Sequence, residues 1–101
     1  MKVNIPFMEQ FREPMLDGTK TCTSRTKKYG KEGDTFEAFG VMFEIQRVYR
    51  LPLRIVASRL YTDEGFNQPK DFINIWRRLH SRKGYDPEQR VNVHFFKRSE
   101  L

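Results

Sequence analysis

Apolar residues recur at helical spacing near the start of the chain. Phe7, Phe11 and Met15 stand four apart, with Met8 and Leu16 beside them, and Gly18 follows as a stop. The spacing predicts a helix over 7–17, which Pro14 shortens or kinks. Residues 19–25 are rich in Thr and Ser and read as a strand or extended loop. Gly30 and Gly33-Asp34 mark a turn. Strands over 35–38 and 41–49 follow, with a hairpin or bulge at Gly40 and a break at Leu51-Pro52-Leu53. Ile55, Val56, Arg59 and Leu60 share one face of a helical turn over 55–60. Asn67 or Gln68 opens a further helix with Pro69 in its first turn. On it, Phe72, Ile75, Trp76 and Leu79 form one apolar stripe, and Gly84 ends it. Trp76 on that stripe reads as a core anchor rather than a stacking platform. Val91, Val93 and Phe95, alternating with Asn92, His94 and Phe96, predict a final strand. The order implies one α+β domain over 1–101, a small β-barrel or curled sheet with helices packed across it.

Composition narrows the class. At 38% hydrophobic residues, with nine Phe, four Tyr and one Trp, the chain is too apolar for a disordered segment. No run of about 20 apolar residues is present, which excludes a helical membrane span. The opening MKVNIPFMEQFREP, interrupted by Pro6, Glu9 and Glu13, lacks the apolar run of a secretory signal. With Cys22 as the one cysteine, a reducing, cytoplasmic location is expected. The formal charge is +6, and three windows free of acids, 20–31, 47–59 and 77–83, hold 13 of the 19 Lys and Arg. If they converge, they form a positive surface attractive to phosphates. Arg77, Arg78, Arg82 and Lys83 are the candidate phosphate contacts. Arg82 and Lys83 also complement a helix dipole, so an ordinary solvated basic surface competes with that reading.

The chemistry concentrates in Gly18-Thr19-Lys20-Thr21-Cys22-Thr23-Ser24-Arg25. A hydroxyl nucleophile needs a base, and a partly desolvated lysine supplies one. Arginine adds a cationic fork for a phosphate or carboxylate. Lys20 and Thr23 meet only if residues 20–23 turn or bulge, because i and i+3 of a regular strand face opposite sides. Otherwise they are a solvated lysine and a strand threonine. Cys22 reads as a small buried hydrophobe rather than a nucleophile, and His94 as a sheet-surface residue. His80 sits late in the basic helix as a helix-end partner or phosphate contact. Tyr29, Phe66 and Tyr85 lie beside basic or Gly-rich turns, to stack bases or to pack on the core. One Cys and two His in distant segments offer no metal set, and no cofactor is implied.

Gly18-x-Lys20-x-x-Thr23-x-Arg25, followed by Gly33-Asp34 and an aromatic strand residue, resembles the signature of ASCH domains (activating signal cointegrator homology), members of the PUA-like β-barrel superfamily. The common motif has an acid three residues after the lysine, where this chain has Thr23. In that respect it is similar to a small bacterial branch whose members hydrolyse the acetyl amide of N4-acetylcytidine. The resemblance implies a PUA-like barrel and, in that branch, a catalytic lysine, threonine and glutamate. These match Lys20, Thr23 and Glu64, with Asp63 the alternative acid. Arg25 would hold a phosphate or stabilise negative charge. Three functions stand open. One is an RNA- or nucleotide-binding module whose pocket of Lys20, Thr23, Arg25 and Glu64 takes a base or modified nucleoside. The second is a metal-independent amidohydrolase acting on N4-acetylcytidine or a related amide. The third is a protein-interaction module.

Overall fold

A computed structural model describes residues 1–99. A 3-10 turn over Glu9–Phe11 leads into α1 (Arg12–Asp17). Then come β1 (Cys22–Arg25), β2 (Thr35–Ala38), β3 (Val41–Pro52), α2 (Leu53–Arg59), α3 (Pro69–Leu79) and β4 (Arg90–Arg98). The helix expected over 7–17 is therefore a six-residue helix with an irregular approach. Pro14 is the reason. It has no N–H for the carbonyl four residues back and its ring crowds that carbonyl, so it fits only a first turn. Gly18, at φ 87°, closes α1 in the left-handed conformation.

Strand 35–38 is where alternation placed it, but β3 runs on to Pro52 rather than breaking at Leu51. Pro52 is the last residue of the strand and the cap of α2, where a missing N–H is tolerated. Gln68 caps α3 and Pro69 opens it, as the sequence predicts. The helix ends at Leu79, earlier than expected. His80 leaves helical geometry (φ −127°, ψ 57°), and Gly84 closes the turn beyond it, donating its N–H to His80 O at 2.7 Å.

All strand pairs are antiparallel and run β1-β4-β3-β2, with β1 and β2 as edges of a curled half-barrel sheet. A register shift between Ile45 and Arg47 bends β3. Side chains alternate along β4 into two cores. Phe96 joins Ile5, Phe11, Met15, Phe36, Phe43 and Ile45 on one face. Val91 and Val93 join Cys22, Leu53, Val56, Phe72 and Trp76 under α2 and α3 on the other. Each such side chain contributes roughly 1.5–3 kcal/mol on burial.

That double coverage corrects the reading of His94. Alternation implies a polar outer face only when one face meets water. Here both are covered, and His94 is fully buried. The Tyr29 backbone N–H donates to His94 Nε2 at 3.0 Å, so Nδ1 carries the proton and faces Thr23 O at 3.3 Å. Burial, the largest cause, lowers the His94 pKa from its ordinary value.

Candidate functional site

After Gly18 the chain is not a regular ladder. Lys20 N–H donates to Pro14 O, and the amides of Thr21 and Cys22 both donate to Asp63 O at 2.7 and 3.1 Å. Two successive amides on one acceptor require a bend, so Lys20 stands off the start of β1. Its ammonium folds back to Cys22 O (2.8 Å), Glu64 O (2.8 Å) and Glu64 Oε1 (3.3 Å), and lies over the Phe11 ring at 4.5 Å. All three N–H donors are engaged, and the side chains of the ion pair are 2% and 5% exposed.

Glu64 is held by the turn after α2, where its N–H donates to Leu60 O. Gly65 follows at φ 100°, and a Cβ there would lie 3.3 Å from Lys20 Cβ. The second carboxylate oxygen accepts from Ser24 Oγ at 2.6 Å and lies 3.7 Å from Cys22 Sγ. Cys22 is fully buried, and burial, then the Glu64 charge, drives its thiol pKa far up, which keeps it the protonated, inert hydrophobe expected. Asp63 contributes its carbonyl, while its carboxylate meets Thr21 Oγ1 at 3.5 Å.

Thr23 and Arg25 project together from the other side of β1. Arg25 Nε donates to Thr23 Oγ1 at 3.0 Å, and Nη2 to Pro6 O at 2.6 Å. The guanidinium lies 5.0 Å from the Phe7 ring centre and 5.5 Å from that of Tyr29. Desolvation, the largest cause, lowers its pKa.

Lys20, Thr23, Ser24, Arg25 and Glu64 line one cavity of about 410 Å³. β1 is a sheet edge, so a cavity beside it reaches side chains from both faces of the strand. Phe96 N–H donates to Thr21 O, so by alternation the Ser24 backbone N–H points to the free edge. Phe7, Phe11, Tyr29, Phe66, Phe72 and Trp76 supply aromatic walls, closed by Ile75, Leu79 and His80 of α3 and its end. His80 stacks on Trp76 with ring centres 4.0 Å apart. The volume and the apolar lining with a few convergent polar groups are those of small-molecule sites. Among the described residues, no group of three or more His, Cys, Asp or Glu is placed to hold a metal ion. No described helix is long and apolar enough to cross a membrane.

Of the expected pocket set, Lys20, Thr23, Arg25 and Glu64 are brought together, and Glu64 rather than Asp63 is the lining acid. Arg77, Arg78, Arg82 and Lys83 are exposed, outside the cavity but on the 77–83 segment whose Leu79 and His80 line it. The window 47–59 contributes no lining residue, and its Arg54 is paired with Glu88 at 3.0 Å. Ser24 and Trp76 were not foreseen as lining residues. Ser24 had a signal in the hydroxyl-rich segment. Trp76 is the expected core anchor, 3% exposed, and forms the cavity wall as well.

Fold and cavity together define a small α+β domain with a site at the open edge of its sheet. No protein-family model and no curated protein sequence matches the chain. Solved structures do. An ASCH domain from Lactobacillus crispatus JV V101 superposes with a TM-score of 0.76 at 13% identity, covering 96% of this chain and 79% of that one. The hypothetical protein PH0355 matches with a TM-score of 0.76 at 14% identity, over 98% of this chain and 100% of that one. Protein PF0455 from Pyrococcus furiosus matches at 0.70 and 16% identity, over the full length of both. At such identities the likeness is one of fold, and the chain has the ASCH fold that residues 18–34 led us to expect.

Proposed function

We propose that the domain binds RNA or a nucleotide, taking a nucleobase into the cavity beside β1 while Arg77, Arg78, Arg82 and Lys83 meet phosphates outside it. The observation that carries this reading is the aromatic-walled cavity of about 410 Å³ with hydrogen-bonding groups at one side. Ser24, Thr23 and Glu64 offer donors and acceptors to a base edge, and the walls offer stacking surfaces. The test is Trp76 fluorescence and calorimetry with nucleosides and short single-stranded RNA. RNA affinity should fall as salt rises, with a shallower slope in a variant lacking Arg77, Arg78 and Arg82. Absent or salt-independent RNA binding favours the protein-interaction reading instead.

A second reading has one observation in its favour: Lys20, Thr23 and Glu64 share the cavity. An amidohydrolase acting on N4-acetylcytidine would use Thr23 Oγ to attack the acetyl carbonyl, pass its proton to a base, and expel the amine as the C–N bond breaks. Water would then hydrolyse the acetyl ester. For Lys20 to be that base, its ammonium must give up one of its three acceptors and its proton. Release of cytidine and acetate, lost in Lys20→Ala and Thr23→Ala, would establish it. Intact substrate at micromolar protein would exclude it.

A further inference from the structure

The charges around the cavity do not balance. Lys20 and Glu64 neutralise each other across 3.3 Å. Arg25 has no carboxylate within ion-pair distance among the described residues. Its two hydrogen-bond acceptors, Thr23 Oγ1 and Pro6 O, are neutral; the Tyr29 phenol is a further polar neighbour, and Glu64, already paired with Lys20, acts on it only beyond ion-pair distance. A guanidinium carries five N–H donors, so at least two stay free. Arg25 is half-buried, and aromatic rings rather than a carboxylate flank its charge, which desolvates it without pairing it. The exposed Lys27 lies over the Tyr29 ring at 4.7 Å, which adds positive charge at the same end. Phe72, Ile75 and Trp76 of α3 give the same cavity an apolar wall.

We propose that the ligand of this cavity is anionic: a nucleoside monophosphate, free or at an RNA strand end, rather than an uncharged nucleoside. Its phosphate occupies the free fork of Arg25, and its base lies among the aromatic walls of the cavity. The inference rests on the nucleobase reading above and adds the ligand's charge and the place of its phosphate. A phosphate suits the site because guanidinium and phosphate form parallel charge-assisted hydrogen bonds. Low local polarity around Phe7 and Tyr29 strengthens that attraction relative to an exposed surface.

Calorimetry on the intact protein tests it, with the four common ribonucleosides, their 5′-monophosphates and a 5′-phosphorylated RNA tetramer. At least one monophosphate should bind ten or more times as tightly as its nucleoside. Arg25→Gln should erase that advantage, so that the monophosphate and its nucleoside bind with the same affinity. Arg25→Lys keeps the charge without the fork and should fall between. Thermal melting of each variant confirms that it is folded. Equal affinity for nucleoside and monophosphate overturns the inference while the nucleobase reading stands. So does a loss in Arg25→Gln that affects both ligands alike. Failure of every nucleoside and nucleotide to bind overturns both. Tight binding of the tetramer identifies the ligand as a strand end, and its exclusion identifies a free nucleotide.

Discussion

Replacing Lys20 by methionine removes the cation from the buried pair and preserves much of the stem's volume. The Glu64 carboxylate then remains 5% exposed, with Ser24 Oγ as its one strong donor. Two backbone carbonyls, Cys22 O and Glu64 O, lose their donor as well. Breaking a buried pair from one side costs about 3–5 kcal/mol, because an uncompensated charge stays behind. A domain of this size has about 5–15 kcal/mol of stability in total. Each kcal/mol moves the melting temperature by roughly 4–8 °C, so Lys20→Met should melt at least about 12 °C lower. Glu64→Gln removes the opposite charge and keeps a group able to accept from Ser24. In the double variant neither charge is buried, so the loss should be smaller than the sum of the singles, with a coupling of about 2 kcal/mol. Urea unfolding followed by the one Trp, buried at position 76, measures all four proteins. A loss under about 1 kcal/mol in Lys20→Met, or additive singles within about 0.5 kcal/mol, would refute the buried ion pair.

Acid should destabilise the domain through His94. Its folded pKa lies below the unfolded value of about 6.5, so its contribution is complete above that pH and is lost as pH falls towards the folded value. His94→Gln offers one acceptor and one donor without titrating, and should flatten the stability profile between about pH 7 and 5. An unchanged slope would remove the neutral His94 from the account. Gly65→Ala places a Cβ at φ 100° and 3.3 Å from Lys20 Cβ, and should cost about 1–3 kcal/mol by denaturant unfolding. Cys22, buried and with its pKa raised, should resist alkylation in the folded protein and react on unfolding; rapid native labelling would contradict that burial. Arg54→Ala breaks only an exposed pair with Glu88 and should change stability by less than about 1 kcal/mol.

Local physics made part of this protein legible in its sequence. The stripe of Phe72, Ile75, Trp76 and Leu79 behind Pro69, the strand over 35–38 and the stop at Gly18 each follow from spacing and turn chemistry within a few residues. The residue types of the Gly18–Arg25 segment were legible too, but its bend depends on Asp63 O, and Lys20 and Thr23 line one cavity because β1 is a sheet edge open on both faces. Its partners follow no local rule. Ser24 meets Glu64 across 40 positions and Lys20 meets it across 44, contacts that exist only once α2 and its turn dock beside β1. Burial of the His94 face likewise depends on Ile5, Phe11 and Tyr29, segments far from β4 along the chain, which is why alternation misplaced His94. Periodicity along a chain records which side of an element avoids water. Which charges end up paired, and that Arg25 meets no carboxylate at ion-pair distance among the described residues, is settled only when separate segments exclude water together.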